Sequence, residues 1–300
     1  MQDRPLPSEK PNTTMPPQDA VNKTDPADIA RDILAQAFAL GADVAGLAPV
    51  DALRLSPSER LFPQMIDHSR DHFAEQITTG LPHGSVFWEE DAKTVLIFGV
   101  AHPADQPSLD WWCGEIDPPG NKKMIRIGKA LRAYILENYP DIHVYTKRYH
   151  VEKGGLYLKE AAVAAGLGCI GRNNLLVTPR FGPRVRLRAM TLSAALPAAG
   201  PADFDPCRDC PGYCRKACPQ HSFDQVIYTP EMTGIRHLPG RDGSYFRKNC
   251  SMEMQKNEDE ALTGLMPEVC DHPEKIIKYC RACELACPVG RGNTSDASTH

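Results

Sequence analysis

Cysteine placement constrains this 300-residue chain more than any other feature, because nine of its eleven cysteines lie between residues 207 and 287. They form two runs that each end in Cys-Pro: Cys207-x2-Cys210-x3-Cys214-x3-Cys218-Pro219 and Cys280-x2-Cys283-x3-Cys287-Pro288. An odd number of cysteines cannot all pair in disulfides, and a chain of this length can build a core without them. The pattern therefore predicts a metal-binding role for the thiols.

Two thiolate runs closed by Cys-Pro are typical of bacterial-type ferredoxin segments, which bind two 4Fe-4S clusters and exchange the last cysteine of each run. This exchange predicts one set of ligands for the first cluster: Cys207, Cys210, Cys214 and Cys287. The other cluster takes the three remaining cysteines of the runs and one more: Cys218, Cys280, Cys283 and either Cys250 or Cys270.

The sequence allows two choices for the eighth ligand and two for the kind of metal. We prefer Cys250 over Cys270, because the charged segment 253–260 resembles an insertion that displaces the first ligand of the second run. Zinc is the competing metal, since Cys-x2-Cys pairs also build zinc sites, but triplets and quartets ending in Cys-Pro favour clusters. Cys113, Cys169 and the leftover cysteine are expected to be buried free thiols.

Periodicity predicts a helix that starts at the Asp25-Pro26 cap and ends at Gly41, and strands over 93–101, 142–149 and 184–192. Helices and strands thus alternate over residues 25–195, which predicts an α/β (α+β) domain with a layered sheet. The domain boundaries follow from composition: a disordered proline-rich tail at 1–24, the α/β domain at 25–200, a ferredoxin-like two-cluster domain at 201–292 and a disordered tail at 293–300. A basic set of residues could bind an anionic substrate or a cofactor, but a solvated strand face is the preferred interpretation: Arg172, Arg180, Arg184, Arg186 and Arg188.

Charge and hydropathy exclude several classes of function. The formal charge of -4 provides no bulk attraction to nucleic acid or to anionic membranes. No apolar run approaches the length of a membrane span, and the first residues lack a secretory signal. We therefore expect a cytoplasmic protein without a membrane partner.

The segment Gly166-Leu-Gly168-Cys-Ile-Gly171 matches the G-x-G-x-x-G fingerprint of dinucleotide-binding proteins. Its context does not fit that fingerprint, because a predicted helix precedes it and Thr191 stands where an acidic residue is required. A nicotinamide site is therefore the weaker interpretation.

The stretch from Ala164 to Leu176, followed by the double Cys-Pro segment, resembles the epoxyqueuosine reductases and the related reductive dehalogenases. The resemblance covers about residues 27–290 and implies a cobalamin-binding α/β domain joined to a two-cluster ferredoxin module. It also implies an iron-sulphur oxidoreductase in which electrons pass through the clusters to a corrinoid. The residues it implies for binding that cofactor belong to the glycine motif: Gly166, Gly168, Gly171, Arg172 and Asn173.

In the epoxyqueuosine reductases an aspartate sixteen residues before the second glycine of the motif is taken as the proton donor. Counting back from Gly168 leads to Glu152, which the resemblance implies as the catalytic residue. The proline expected three residues further on is Gly155, and the helical extension common in the tRNA-acting enzymes is missing. Together with the net charge, this argues against tRNA and for a small-molecule substrate.

The expected partners are reduced ferredoxin or flavodoxin as the electron donor. Two other functions remain open. The chain could be an electron-transfer protein that reduces the corrinoid of a partner protein, with no substrate of its own. It could also bind a flavin in place of the corrinoid.

Overall fold

A computed structural model describes residues 25–54, 56–62, 84–267 and 269–291, and the side chain of Glu152 is outside this described part. The predicted tails 1–24 and 293–300 lie outside it as well. The nine helices within the described residues are α1 (Pro26–Ala39), α2 (Val50–Leu53), α3 (Pro57–Leu61), α4 (Pro119–Asn138), α5 (Leu158–Ala164), α6 (Tyr213–Lys216), α7 (Pro230–Thr233), α8 (Arg247–Asp259) and α9 (Ala282–Ala286). The strands in the same part are β1 (Val44–Pro49), β2 (Thr94–Ala101), β3 (Trp112–Cys113), β4 (Val144–Thr146), β5 (Cys169–Ile170), β6 (Leu176–Val177), β7 (Val185–Leu192), β8 (Leu262–Met266) and β9 (Cys270–Ile277).

The first helix begins where its sequence signals predict. Asp25 accepts a hydrogen bond from the Ala27 backbone N–H at 2.8 Å, and Pro26 occupies the first helical position, where no N–H is needed. The chain turns after the helix at Gly41, which has a φ of 95°. The predicted helix is therefore confirmed at both ends.

A four-stranded antiparallel sheet in the order β1-β2-β7-β4 forms the centre of the α/β domain. Along β2, Leu96 and Phe98 face one core with α1 and α4, whereas Val95 and Ile97 face a second core with α2 and α5. Alternate residues of one strand thus enter opposite layers, as the period of two requires. The predicted layered α/β architecture is confirmed.

The strand predicted over residues 142–149 is shorter in the structure, where β4 covers only Val144–Thr146 at the sheet edge. A short edge strand exposes few unpaired backbone groups. The predicted strand near 184–192 is confirmed as β7, which lies between β2 and β4.

After residue 200 the chain has only short helices apart from α8, together with a three-stranded sheet in the order β3-β9-β8. This sheet joins the two halves of the chain, because β3 precedes α4 and pairs with β9 through Trp112 and Cys113. Within the described residues, no helix combines the length and apolar character that a membrane crossing requires. The domain boundary at 200 stays a prediction.

Candidate functional site

The cysteines predicted to hold the first cluster come together in one pocket. We call them the first thiol group: Cys207, Cys210, Cys214 and Cys287. Burial raises the pKa of the Cys214 thiol to about 11, and the neighbouring thiols of Cys207 and Cys287 add to the rise. Burial and the neighbouring thiols thus favour the protonated form of Cys214 in this pocket.

The second thiol group consists of the other four candidate ligands: Cys218, Cys250, Cys280 and Cys283. Burial raises the pKa of Cys280, and Cys250 and Cys218 are close enough to raise it further by their charge. Burial also raises the pKa of Cys283, and here too Cys250 and Cys280 contribute. Cys250 lies on α8, whose C-terminal half contains the charged segment 253–260.

The structure does not leave Cys270 available as a free ligand. Cys113 and Cys270 form a disulfide, with their Cα atoms 6.4 Å apart. The expectation that Cys113 is a free buried thiol is therefore wrong. The pairing of β3 with β9 brings these two distant segments together, and a spacing pattern contains no signal for such a contact. Cys169 is a free thiol that is half-buried, and burial raises its pKa to about 11.

Within the described part of the chain, no three His, Cys, Asp or Glu side chains form a group that could hold a single metal ion. A lone tetrahedral zinc draws its thiolates to about 2.3 Å from one point. A four-iron cluster instead binds one thiolate at each of four iron corners, so its ligands stand further apart.

The glycine motif forms the start of the small β5-β6 hairpin, and its glycines contact the chain's own backbone. Gly168 has a φ of 156°, and a Cβ there would lie 2.1 Å from the Val177 carbonyl oxygen. A Cβ on Gly166 would lie 2.7 Å from the carbonyl oxygen of Gly200. Close packing within the protein thus requires these glycines. Binding of a cofactor by Gly166, Gly168 and Gly171 stays a prediction.

The next residues connect this hairpin to the first thiol group. Arg172 donates hydrogen bonds to the carbonyl oxygens of Cys210 at 2.5 Å and Arg208 at 3.2 Å. Asn173 is 4% exposed, and its Oδ1 accepts a hydrogen bond from the Leu175 backbone N–H at 3.3 Å. Both residues line the pocket of the first thiol group. In this structure the motif therefore positions the loop that contains Arg208 and Cys210.

A buried ionic cluster, which we call the Asp110 network, joins the α/β domain to the second cysteine run. Its members are His102, Asp110, Arg186, Arg281 and Glu284. Arg186 bridges Asp110 and Glu284 at 3.0 Å each, and Asp110 also pairs with Arg281 at 2.8 Å. Arg281 and Glu284 flank Cys283, so the network holds the second run against β7.

Burial raises the pKa of Asp110, but the hydrogen bond with His102 and the charges of Arg186 and Arg281 outweigh it. The net pKa lies below the usual carboxyl range.

The solvated arginine face predicted for β7 is wrong. Arg184 is 5% exposed, and its Nη1 donates to the carbonyl oxygen of Cys287 at 3.2 Å. Arg188 stacks on the ring of Tyr149 at 4.6 Å. The face is covered because the second cysteine run packs on it, and the alternating arginines were the sequence signal for that contact.

The backbone of Glu152 lies in a 3-10 turn, Val151–Lys153, which ends at Gly154 with a φ of 75°. A Cβ on Gly155 would lie 2.5 Å from the carbonyl oxygens of Arg148 and His150. The turn therefore requires glycine where the related enzymes are expected to have proline. The role of Glu152 stays a prediction.

No protein-family model matches the chain. Curated relatives of two kinds show sequence similarity. The epoxyqueuosine reductase of Listeria monocytogenes is 24% identical over 290 residues, which cover 90% of this chain and 67% of that protein. The tetrachloroethene reductive dehalogenase of Sulfurospirillum multivorans is 30% identical over 135 residues, which cover 44% of this chain and 23% of the dehalogenase.

The predicted resemblance is confirmed. This chain has homologues among both the epoxyqueuosine reductases and the reductive dehalogenases, and these homologues are oxidoreductases by name. The matched stretches span 37%, 67% and 37% of the first three curated relatives, so this chain corresponds to part of each.

Solved structures of both kinds share the fold. A catabolic reductive dehalogenase in complex with 3-bromo-4-hydroxybenzoic acid has a TM-score of 0.59 at 17% identity, covering 93% of this chain and 34% of that one. An epoxyqueuosine reductase with a tRNA-Tyr epoxyqueuosine-modified tRNA stem loop has a TM-score of 0.58 at 17% identity, covering 90% of this chain and 67% of that one.

The second structure corrects the expectation about partners. We expected tRNA to be an unlikely partner, in part because the net charge is -4. A protein with this fold is nevertheless solved with a tRNA stem loop, so that expectation is wrong. Net charge averages over the whole surface, whereas nucleic acid is recognised by a local arrangement of phosphate and base contacts.

Proposed function

We propose that this chain is an iron-sulphur reductase of the type found among its homologues. The observation that supports the proposal is that one cysteine of each run lies near the other run. Cys287 of the second run lines the pocket of the first run, and Cys218 of the first run is near enough to Cys280 of the second run to raise its pKa. This arrangement is characteristic of two-cluster ferredoxin segments.

The donor set fits the proposed clusters. Each thiol group offers four sulphur ligands, which is the number that one 4Fe-4S cluster takes. Cys207, Cys210, Cys214 and Cys287 would hold one 4Fe-4S cluster, and Cys218, Cys250, Cys280 and Cys283 the other. When bound, such clusters transfer single electrons.

The chain's own residues position the two ligand loops. Arg172 holds the first loop through the carbonyl oxygens of Cys210 and Arg208. Arg184 holds the end of the second loop through the carbonyl oxygen of Cys287. Both arginines belong to the proposed α/β domain, so they hold the two loops against it.

The corrinoid part of the proposal is supported by the homologues alone. The positions around Gly166 and Gly168 that a macrocycle would need are occupied by the chain's own backbone, so the motif does not form an open cradle. We therefore assign no step to a corrinoid. Its binding is left to the cofactor assay below.

The comparisons suggest two candidate classes of substrate. Structures with this fold are solved with a modified tRNA stem loop and with a brominated hydroxybenzoate. Both a tRNA stem loop and a halogenated phenol should therefore be offered as substrates. We further propose that Glu152 donates the proton, since reduction of either substrate requires one.

The test is anaerobic purification followed by assays of iron, sulphide, corrinoid and flavin. We expect about eight iron atoms per chain, with paramagnetic signals of reduced 4Fe-4S clusters. Zinc in place of iron would refute the cluster proposal. Turnover of either substrate by the chemically reduced protein would establish a reductase, and Glu152→Gln should abolish it while Glu137→Gln, a change on α4, should not.

The two alternative functions predict different results in the same assays. An electron-transfer protein would contain both clusters, bind no corrinoid and reduce a separate corrinoid protein without substrate turnover. A flavin enzyme would release a fluorescent cofactor on denaturation. Either result would remove the corrinoid from the proposal and keep the clusters.

A further inference from the structure

The amide nitrogen of Asn173 is buried and has no hydrogen-bond partner among the residues the structure describes. The orientation of the amide is defined on its other side, where Oδ1 accepts the Leu175 N–H at 3.3 Å. Gly171 packs against the same oxygen, since a Cβ on Gly171 would lie 2.7 Å from it. The hairpin therefore uses the oxygen and leaves the N–H donor unused. A buried donor without a partner is costly, so the position calls for an acceptor.

Asn173 lines the same pocket as the first thiol group. Two other lining residues carry polar side chains, Arg172 and Tyr213. The guanidinium of Arg172 already donates to the carbonyl oxygens of Cys210 and Arg208, and Tyr213 is 50% exposed. The Asn173 amide is therefore the buried donor in this pocket whose hydrogens are not used.

We propose that the Nδ2–H of Asn173 donates a hydrogen bond to a sulphur atom of the cluster held by the first thiol group. This inference rests on the proposed function, because it requires the cluster. It gives Asn173 a partner different from the corrinoid that the family resemblance implies. The residue is a positioning residue that adjusts the cluster's reduction potential.

The physical reason is electrostatic. Reduction adds one electron to the cluster and makes its sulphur atoms more negative, with no covalent bond formed or broken. A hydrogen bond to a more negative acceptor is stronger, so the Asn173 donor stabilises the reduced state more than the oxidised state. Removing the donor should therefore lower the reduction potential of this cluster and leave the other cluster unchanged.

The neighbouring Asn174 provides a matched control. Its Oδ1 accepts a hydrogen bond from the Gly240 N–H at 3.1 Å, so both asparagines use their amide oxygen to hold a backbone N–H. Asn174 is not among the residues that line the pocket. Asn173→Asp and Asn174→Asp therefore add the same charge, and each keeps an oxygen that can accept its backbone N–H. Asn173→Asp also removes the buried amide N–H that lines the pocket, whereas Asn174→Asp does not. Asn173→Leu removes the donor without adding charge.

The experiment is a redox titration of the purified full chain with dithionite and mediators, followed by electron paramagnetic resonance. We expect Asn173→Leu and Asn173→Asp to shift the reduction equilibrium of one cluster about tenfold toward the oxidised form, which is 59 mV for one electron. Asn174→Asp should leave both potentials unchanged, and every variant should keep about eight iron atoms.

Unchanged potentials in both Asn173 variants, at full iron content, would overturn the proposal. Loss of about four iron atoms in both variants would overturn it in favour of a purely structural role. An equal shift in Asn174→Asp would show that added charge, and not the donor, sets the potential. Wild-type protein without iron would refute the proposed clusters themselves, which is a different outcome from all of these.

Discussion

Replacement of Asp110 by asparagine tests whether the Asp110 network holds the second cysteine run to the sheet. Asp110 pairs with His102 at 2.7 Å, with Arg186 at 3.0 Å and with Arg281 at 2.8 Å. Asparagine keeps the shape of the side chain and removes its charge. In the variant, two arginines share the single carboxylate of Glu284.

The expected cost follows from burial. Removing one partner of a fully buried ion pair costs about 3–5 kcal/mol, because the remaining charge is left uncompensated. The side chain of Asp110 is 15% exposed and that of Arg186 is 26% exposed, so water compensates part of the loss. We therefore expect about 3 kcal/mol, at the lower end of the range. The loss should be local to β7 and the segment 281–287.

Native-state hydrogen exchange measures this cost segment by segment, without assuming two-state unfolding. Backbone amides of β7 and of residues 281–287 should exchange faster in Asp110→Asn, by the factor that the free energy predicts. The matched control is Asp91→Asn, since Asp91 also pairs with a histidine, His143, at 2.6 Å, but in a solvent-exposed position. We expect no measurable change there.

The reasoning would be refuted if the amides of both variants exchanged at the wild-type rate, or if both variants changed the exchange rate by the same factor.

The pH dependence of stability gives a second check. The folded-state pKa of Asp110 lies below the usual value, so its stabilising effect is present above the ordinary carboxyl pKa. It is lost as the pH falls through the lowered pKa, and Asp110→Asn should remove this dependence.

Three further predictions concern other parts of the molecule. Cys250→Ala should reduce the iron content from about eight to about four atoms per chain, whereas Cys270→Ala should keep it, as measured by iron assay. Reduction of the disulfide, whose cysteines are 157 residues apart, should lower the free energy of unfolding by up to ~5 kcal/mol. The urea midpoint of unfolding should therefore fall in the presence of reductant, whereas the midpoint of Cys113→Ala should not respond to it. Burial and the hydrogen bond to Asp32 raise the pKa of Tyr134 to about 12. The stability that the protonated Tyr134 contributes is therefore fully present below about pH 10 and should be lost as the pH rises toward 12. Tyr134→Phe should weaken that fall in urea titrations, and an unchanged pH profile would contradict the assignment.

Local patterns predicted the elements whose signals lie within one segment. The N-cap at Asp25 and the proline after it predicted the start of α1, and the apolar run from Thr94 predicted β2. These predictions succeed because a helix cap or a buried strand depends on residues within a few positions of one another. The cysteine runs are of the same kind, since one loop brings closely spaced thiols together.

Contacts between distant segments could not be predicted in this way. The β7 arginines were expected in solvent, yet Arg184 and Arg186 bind the second cysteine run about a hundred residues away. The glycine motif resembled a cofactor loop, but the close approach of Val177 gives Gly168 its role in packing. In both cases the residue type was informative, and the partner depended on which surfaces pack together.

The sequence by itself predicted eight cysteines as metal ligands and an α/β layer before them, because spacing and periodicity are local properties of the chain. Only the tertiary structure decided which of Cys250 and Cys270 lies with the second thiol group, since the pairing of β3 with β9 joins Cys270 to Cys113. The physical reason is that strand pairing and core packing bring together residues that are far apart in the chain, and no local spacing encodes that distance.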